Sequence, residues 1–160
     1  MTVGILGLGL IGGSLAKSTK VRTAHTVYGS DLDSETMMLS RMSGAIDGTL
    51  NEETLPLCDL ILIAIRPGAA VTWMTDQAHR IAPSAIVVDL CGVKRDICSR
   101  CFFLAEKFGF TFVGGHPMAG SQFSGFKYSR ADLFEGAPMV IVPPVFDDIQ
   151  LLERAKNALK

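Results

Sequence analysis

Neither sign of charge is in excess in this sequence: 15 basic and 16 acidic side chains leave a formal net charge of −1. There is no basic block and no interleaving of aromatic with basic residues, so nucleic acid and anionic membrane surfaces are not expected partners. No apolar run approaches the ~20 residues of a membrane span. The N-terminal "MTVGILGLGLIGG" is apolar but has no basic leader and is broken by glycine. A signal peptide is therefore not expected, and the cytoplasm is the expected compartment. Internal repeats and low-complexity segments are missing. Cysteine is sparse, at Cys58, Cys91, Cys98 and Cys101. The pair in "CSRC" falls inside the helical-looking "KRDICSRCFFLAEKFG", with neither a second ligand pair nor a strand-to-helix redox context. Ordinary reduced thiols and no metal site are expected. Histidine is scarcer still, with His25, His79 and His116 the only three.

What is present is a core. Apolar residues make up 48% of the 160 and charged residues 19%, the balance of one globular domain. Short β-branched runs alternate with amphipathic stretches. Strands are expected at "TVGILG" (2–7), "HTVYGSD" (25–31), "DLILIAI" (59–65), "SAIVVDL" (84–90), "FTFVGG" (110–115) and "APMVIVP" (137–143). Helices are expected at "LIGGSLAKSTK", at "DSETMMLSRM" with Asp33 or Ser34 as its N-cap, at "GAAVTWMTDQAHRIA" with Trp73 in the core, at the cysteine segment, and at "DDIQLLERAKNALK" (147–160). The near-continuous apolar run at 59–65 suits a parallel strand covered on both faces. The alternation predicts an α/β, doubly wound, mostly parallel Rossmann-type sheet with helices on both faces. Residues 1–145 are expected to form the dinucleotide-binding domain, with 146–160 its terminal helix. Because doubly wound sheets usually return from such a helix to another strand, the sequence reads as the first part of something longer.

Directly after the first strand stands "GLGLIG", with Gly7, Gly9 and Gly12 in the spacing G-x-G-x-x-G. The motif is weak alone, but here it follows a strand, opens a helix, and has Asp31 nineteen residues beyond Gly12 at the end of the second strand. Gly7 permits the tight turn, Gly9 lets backbone approach a pyrophosphate, and Gly12 allows close helix–strand packing. The helix N-terminus offers free N–H groups to the anion. The expected cofactor-binding set is Gly7, Leu8, Gly9, Leu10, Ile11, Gly12, Asp31 and Arg66. A carboxylate at Asp31 accepts hydrogen bonds from ribose hydroxyls and repels a 2′-phosphate, which favours NAD over NADP.

"GGHPMAGS" (114–121) puts His116 among residues of little bulk at the carboxyl edge of the sheet, where ligands of this fold bind. An imidazole there can face a nicotinamide and take the hydroxyl proton that hydride transfer from an alcohol carbon leaves behind. A turn histidine bonded to backbone is the competing reading at this point.

The longer stretch "GGHPMAGSQFSGFKYSRADLFEGAPMVIVP" (114–143), behind "GLGLIGGSLA", resembles the prephenate/arogenate dehydrogenase family over essentially the whole chain. "VYGSD", "DLILIAIRP" and "DLCGVK" also have counterparts there. The resemblance implies NAD-dependent oxidative decarboxylation of prephenate to 4-hydroxyphenylpyruvate, or of arogenate to tyrosine. It also implies that His116 is the catalytic histidine, hydrogen-bonded to the ring C4 hydroxyl, and that Ser121 lies near the substrate. Two departures stand out. Gly92 occupies a position where many members carry a serine that helps hold the histidine, leaving water, backbone or Cys91 to do so. Members also continue into a helical dimerisation domain that supplies further substrate contacts, and these 160 residues end before it. The resemblance therefore implies a cofactor-binding part with half an active site, inactive alone, and a homodimer for the full-length protein. Other small-substrate Rossmann dehydrogenases, and an NAD-binding module without activity, stay open as alternatives. Lys94 lies on the cofactor side beside Arg66, as substrate or cofactor contact or as solvated charge. Arg130, Asp132 and Glu135 are expected to fix their loop, and His25 and His79 carry no assigned role.

Overall fold

The computed structural model describes residues 1–159. Seven strands form one sheet: β1 (Thr2–Leu6), β2 (Thr26–Ser30), β3 (Gly48–Thr49), β4 (Leu60–Ile63), β5 (Ile86–Asp89), β6 (Thr111–Pro117) and β7 (Met139–Val142). Their order is β3-β2-β1-β4-β5-β6-β7. All neighbours are parallel except β6 and β7, which run antiparallel with His116 opposite Val140. The helices are α1 (Leu10–Arg22), α2 (Ser34–Met42), α3 (Pro67–Gln77), α4 (Arg95–Phe108) and α5 (Ile149–Ala158).

Alternation along each strand feeds two cores, one on either face of the sheet. Val3, Ile5, Leu60, Leu62, Ile86, Val88 and Val113 face the side carrying α1 and α5, with Ala16 and Ala155 buried against them. Leu6, Ile61, Ile63, Val87 and Phe112 face the other side, against Ala70 and Met74 of α3 and Ile97, Cys98 and Cys101 of α4. Each such side chain contributes roughly 1.5–3 kcal/mol by leaving water. This is the doubly wound architecture expected, and its 3-2-1-4-5-6 core order reverses direction between β1 and β4. That reversal opens a crevice beyond the carboxyl ends of the two strands.

The boundaries differ from expectation in physically informative ways. β6 runs two residues further than the apolar pattern reaches, through His116 and Pro117, because β7 lies beside it and supplies partners. The two-residue β3 went unpredicted; "GT" has no apolar signature and pairs only with Tyr28 and Gly29 at the sheet edge. The helix expected across 68–82 breaks into α3 and a short 3-10 turn, Ala78–Arg80. Asp33, not Ser34, caps α2, accepting from the Thr36 N–H at 2.9 Å. Asp148 caps α5 through the Leu151 N–H at 2.9 Å. Lys160, the last residue of the expected terminal helix, lies outside the described residues.

Candidate active site

Gly7 ends β1 and turns the chain at φ 85°, in the left-handed region that favours glycine. Its N–H donates to the Ser30 carbonyl at 2.7 Å, tying the turn to the end of β2. A Cβ at Gly12 would lie 1.8 Å from the Gly7 carbonyl oxygen, so α1 can approach the turn only because position 12 is bare. A Cβ at Gly9 would meet nothing within 4 Å, so that side of the loop is open to a ligand. Gly9 caps α1, and its carbonyl accepts the first intrahelical bond, from the Gly13 N–H at 2.9 Å. The N–H groups of Leu10, Ile11 and Gly12 precede that bond and form the donor-rich helix end that suits a phosphate. Leu8 has a different part: its N–H donates to Asp31 Oδ2 at 2.7 Å and its side chain is fully buried.

Asp31 stands just past β2 with its second oxygen, Oδ1, accepting from the Asp33 N–H at 3.0 Å. The carboxylate is thus oriented from both sides. It lines a hollow with Gly7, Ile65, Arg66, Ala69 and Trp73. Arg66 caps α3 and is exposed; among the described residues it belongs to no ion pair. Trp73 was expected in the core, but it is half-buried, with one side on the α3–α4 cluster and the other in this hollow. Arg66, Ala69 and Trp73 follow the i, i+3, i+7 spacing of one helix face, which was the signal that could have placed Trp73 here.

His116 occupies the carboxyl end of β6, on the face of α3 and α4. A Cβ added to Gly92 would sit 3.7 Å from its Cε1. The bare position 92 therefore lies directly against the imidazole. Cys91 does not take over the support of the ring: its thiol donates to the Ile65 carbonyl at 3.2 Å. Burial, then the Asp89 carboxylate, pushes that thiol up to about 11, so it stays neutral at physiological pH. The His116 Nδ1 is buried with no hydrogen-bond partner among the described residues. Ser121 lies in the exposed loop after β6, where its hydroxyl accepts from the Phe123 N–H at 3.2 Å. In the same loop Phe123 stacks on Tyr128, ring centroids 4.8 Å apart. Further along, Phe126 packs against α1: a Cβ on Gly13 would lie 2.7 Å from its Cδ2, and Lys17 crosses its ring at 4.4 Å. The loop after His116 is thereby anchored to the helix that carries the glycine turn.

The expected set is thus brought together along one edge of the sheet. The glycine turn, Asp31 and Arg66 meet at the β1/β4 reversal, and His116 lies two strands further on, past β5. Arg130 pairs with Asp132 at 3.2 Å and Glu135 with Arg22 at 3.4 Å, both exposed, holding the loop as expected. Among the described residues no group of three or more His, Cys, Asp or Glu is placed to hold a metal ion. No described helix is long and apolar enough to cross a membrane.

A family profile described as prephenate dehydrogenase, nucleotide-binding domain, matches residues 15–160. The chain belongs to the prephenate dehydrogenase family. The prephenate dehydrogenase of Bacillus subtilis (strain 168) is 29% identical over 163 residues, covering 99% of this chain and 44% of that protein. Among solved structures, Synechocystis arogenate dehydrogenase matches with a TM-score of 0.89 at 28% identity, over 99% of this chain and 56% of that one. Prephenate dehydrogenase from Aquifex aeolicus, solved with hydroxyphenyl propionate and NAD+, matches with a TM-score of 0.86 at 28% identity and the same coverages. The chain thus spans less than half the length of the Bacillus subtilis relative. The glycine triad falls outside the profile match but inside the near-complete alignment with that prephenate dehydrogenase.

Proposed function

We propose that this chain is the NAD-binding part of an enzyme that oxidatively decarboxylates prephenate to 4-hydroxyphenylpyruvate. The observation that carries the reading is the juxtaposition of His116, clear of side-chain bulk at Gly92, with a glycine turn whose open side faces the same sheet edge. The residues fit a dinucleotide. The N–H groups of Leu10–Gly12 would hold the pyrophosphate, with Gly9 giving access, and Asp31 would accept from the adenosine ribose hydroxyls. Arg66, Ala69 and Trp73 would line the place of its adenosine end. Bound there, NAD+ supplies a hydride acceptor.

His116 hydrogen-bonds the ring C4 hydroxyl and draws on its proton as the C4 hydrogen departs with its electron pair. The ring carboxylate leaves as CO2, and its bonding electrons complete the aromatic ring. General acid–base groups of this kind contribute about 10²–10⁴-fold. Ser121 borders the substrate from the loop tied to α1. The likeness to an arogenate dehydrogenase supports a second substrate, differing only in its side chain. The 160-residue chain presents a single wall of the cleft. Without an opposing wall to hold the ring in line it binds NAD but does not turn over, since ~1 Å of misplacement can cost on the order of a hundredfold. The relatives this chain matches are longer, covered by it to 44% and 56%, and the remainder of such a protein would supply the opposing wall. The test is NADH formation with prephenate and arogenate in parallel, on the intact protein and on the 160-residue chain. Activity of the intact protein with either substrate supports the reading; turnover near 1 s⁻¹ by the short chain, the low end for ordinary enzymes, overturns the single-wall assignment.

A further inference from the structure

Asp89, at the end of β5, is wholly buried and takes no part in the chemistry above. It is the register partner of Gly114 across the β5–β6 ladder. Strand alternation places the His116 side chain two residues on, on the same face of the sheet. The stem of Lys94 crosses the space over Gly114: a Cβ there would lie 3.1 Å from Lys94 Cδ and 2.6 Å from Cys98 Sγ. The Lys94 ammonium ends on Asp89 Oδ1, which also accepts from the Cys91 N–H at 3.1 Å. The other oxygen, Oδ2, is buried with no hydrogen-bond partner among the described residues, as is Nδ1 of His116.

A carboxylate removed from water is costly even when paired, and the equivalent inward position on β4 is filled by Ile63. At this strand end two opposite charges instead close over Gly114, two residues before His116 on the same face of the sheet. We propose that Asp89 and Lys94 are positioning residues for His116, an ion pair whose opposed fields set the orientation and charge state of the ring. The role assigned to that ring rests on the proposed dehydrogenase reading; the placement of the pair does not.

Several elements meet around the carboxyl ends of β5 and β6. β5 brings Asp89, and the β5–α4 turn with the first turn of α4 brings Cys91, Lys94 and Cys98. β7 brings the uncharged Val140, opposite in register. Cys91 and Cys98 are held neutral, each pushed up to about 11 by burial and then by Asp89. Arg95 and Asp96 are exposed. Among these neighbours of the β5 and β6 strand ends, Asp89 and Lys94 are the buried or half-buried groups that carry charge.

Opposed fields give opposed shifts, which a purely structural pair would not. Lys94→Met keeps the stem and leaves Asp89 to favour the imidazolium; Asp89→Asn keeps the shape and leaves Lys94 to disfavour it. The measurement is long-range proton–nitrogen NMR of the three imidazoles of the 160-residue chain, titrated with pH. The His116 midpoint should rise by about half a pH unit or more in Lys94→Met and fall by a similar amount in Asp89→Asn. His25 and His79 should not move. Shifts of the same sign, or both below about 0.2 unit, would overturn the proposal. None of this needs turnover, so its failure is distinct from failure to oxidise either substrate. If a single variant does not fold, the double variant Asp89→Asn/Lys94→Met, with no buried charge, is tested for orientation in the intact enzyme. It should lower kcat at least about tenfold with unchanged NAD affinity, and lower nothing further in a His116→Asn background. A full additional loss there would assign the pair to the fold alone.

Discussion

Replacing Asp31 by asparagine isolates the charge from the shape at the point where the fold chooses its cofactor. In the structure, one carboxylate oxygen holds the Leu8 N–H at 2.7 Å and the other the Asp33 N–H at 3.0 Å. Both bonds have a charged acceptor, and the same residue lines the hollow shared with Arg66 and Trp73. Asparagine offers one carbonyl oxygen, so one backbone bond survives and the other faces an NH2 donor. The folded chain should lose on the order of 1 kcal/mol of stability. Ribose hydroxyls lose a charged acceptor worth about 1.5–3 kcal/mol, so NAD+ should bind roughly 10- to 150-fold more weakly. NADP+ should be nearly indifferent, because the lost hydrogen bonding is offset by the lost repulsion of its 2′-phosphate. The wild-type preference for NAD+, expected to be at least about tenfold, should collapse toward parity. The assay is built into the molecule: Trp73 is the only tryptophan and lines the same hollow, so its fluorescence reports occupancy by either nucleotide. Equal affinities in the wild type, or an undiminished preference in Asp31→Asn, would remove the carboxylate from the site.

The second and third glycines of the turn, Gly9 and Gly12, should separate binding from folding. Gly9→Ala meets no protein atom within 4 Å, so thermal stability should change by less than about 0.5 kcal/mol while NAD+ affinity falls at least about tenfold, measured by the same fluorescence. Gly12→Ala puts a methyl 1.8 Å from the Gly7 oxygen, and should lower the melting temperature as well as abolish binding. Gly92→Ser fits in ordinary contact with the His116 ring at 3.7 Å; it should fold as the wild type and match or raise kcat, and a loss above about 1.5 kcal/mol in urea unfolding would show the space is misjudged. The four thiols, all buried, rise from an ordinary 9.0 to about 12 for Cys58 and Cys101 and about 11 for Cys91 and Cys98, burial being the first cause in each. The folded chain keeps protons that the unfolded chain releases, so this contribution is whole below about pH 9 and is lost as pH climbs toward 11–12. Urea midpoints should fall steadily above about pH 9, and a thiol reagent at pH 8 should titrate all four cysteines only after denaturation.

The sequence was most legible where one residue type has one physical reason to stand in place. Gly7, Gly9, Gly12 and Asp31 mark the turn, the opening, the close approach and the strand end from spacing alone, and the structure places each so. The strands facing two cores were legible because covered parallel strands are continuously apolar. What escaped depends on partners distant in sequence. β3 exists only because Tyr28 and Gly29 offer an edge, and β6 is longer than its apolar run because β7 folds back along it. Trp73 reads as core because an aromatic residue in an apolar helix covers a core whether or not it also walls a hollow, and its helical spacing from Arg66 and Ala69 was the one hint of the second part. The Asp89–Lys94 pair was half visible, as a carboxylate closing "IVVD" and a lysine five residues later. Its closure over Gly114 needed β6 alongside.

In the proposed reading His116 serves the reaction and not the fold or the cofactor. The most direct test compares wild type and His116→Asn in the intact protein with NAD+ and prephenate, following NADH and CO2 together. Equal amounts of the two products should form in the wild type. His116→Asn should bind NAD+ as before and lose turnover by about 10²–10⁴-fold. Loss smaller than about threefold would return His116 to a structural role, and loss that tracks weakened NAD+ binding would assign it to the cofactor.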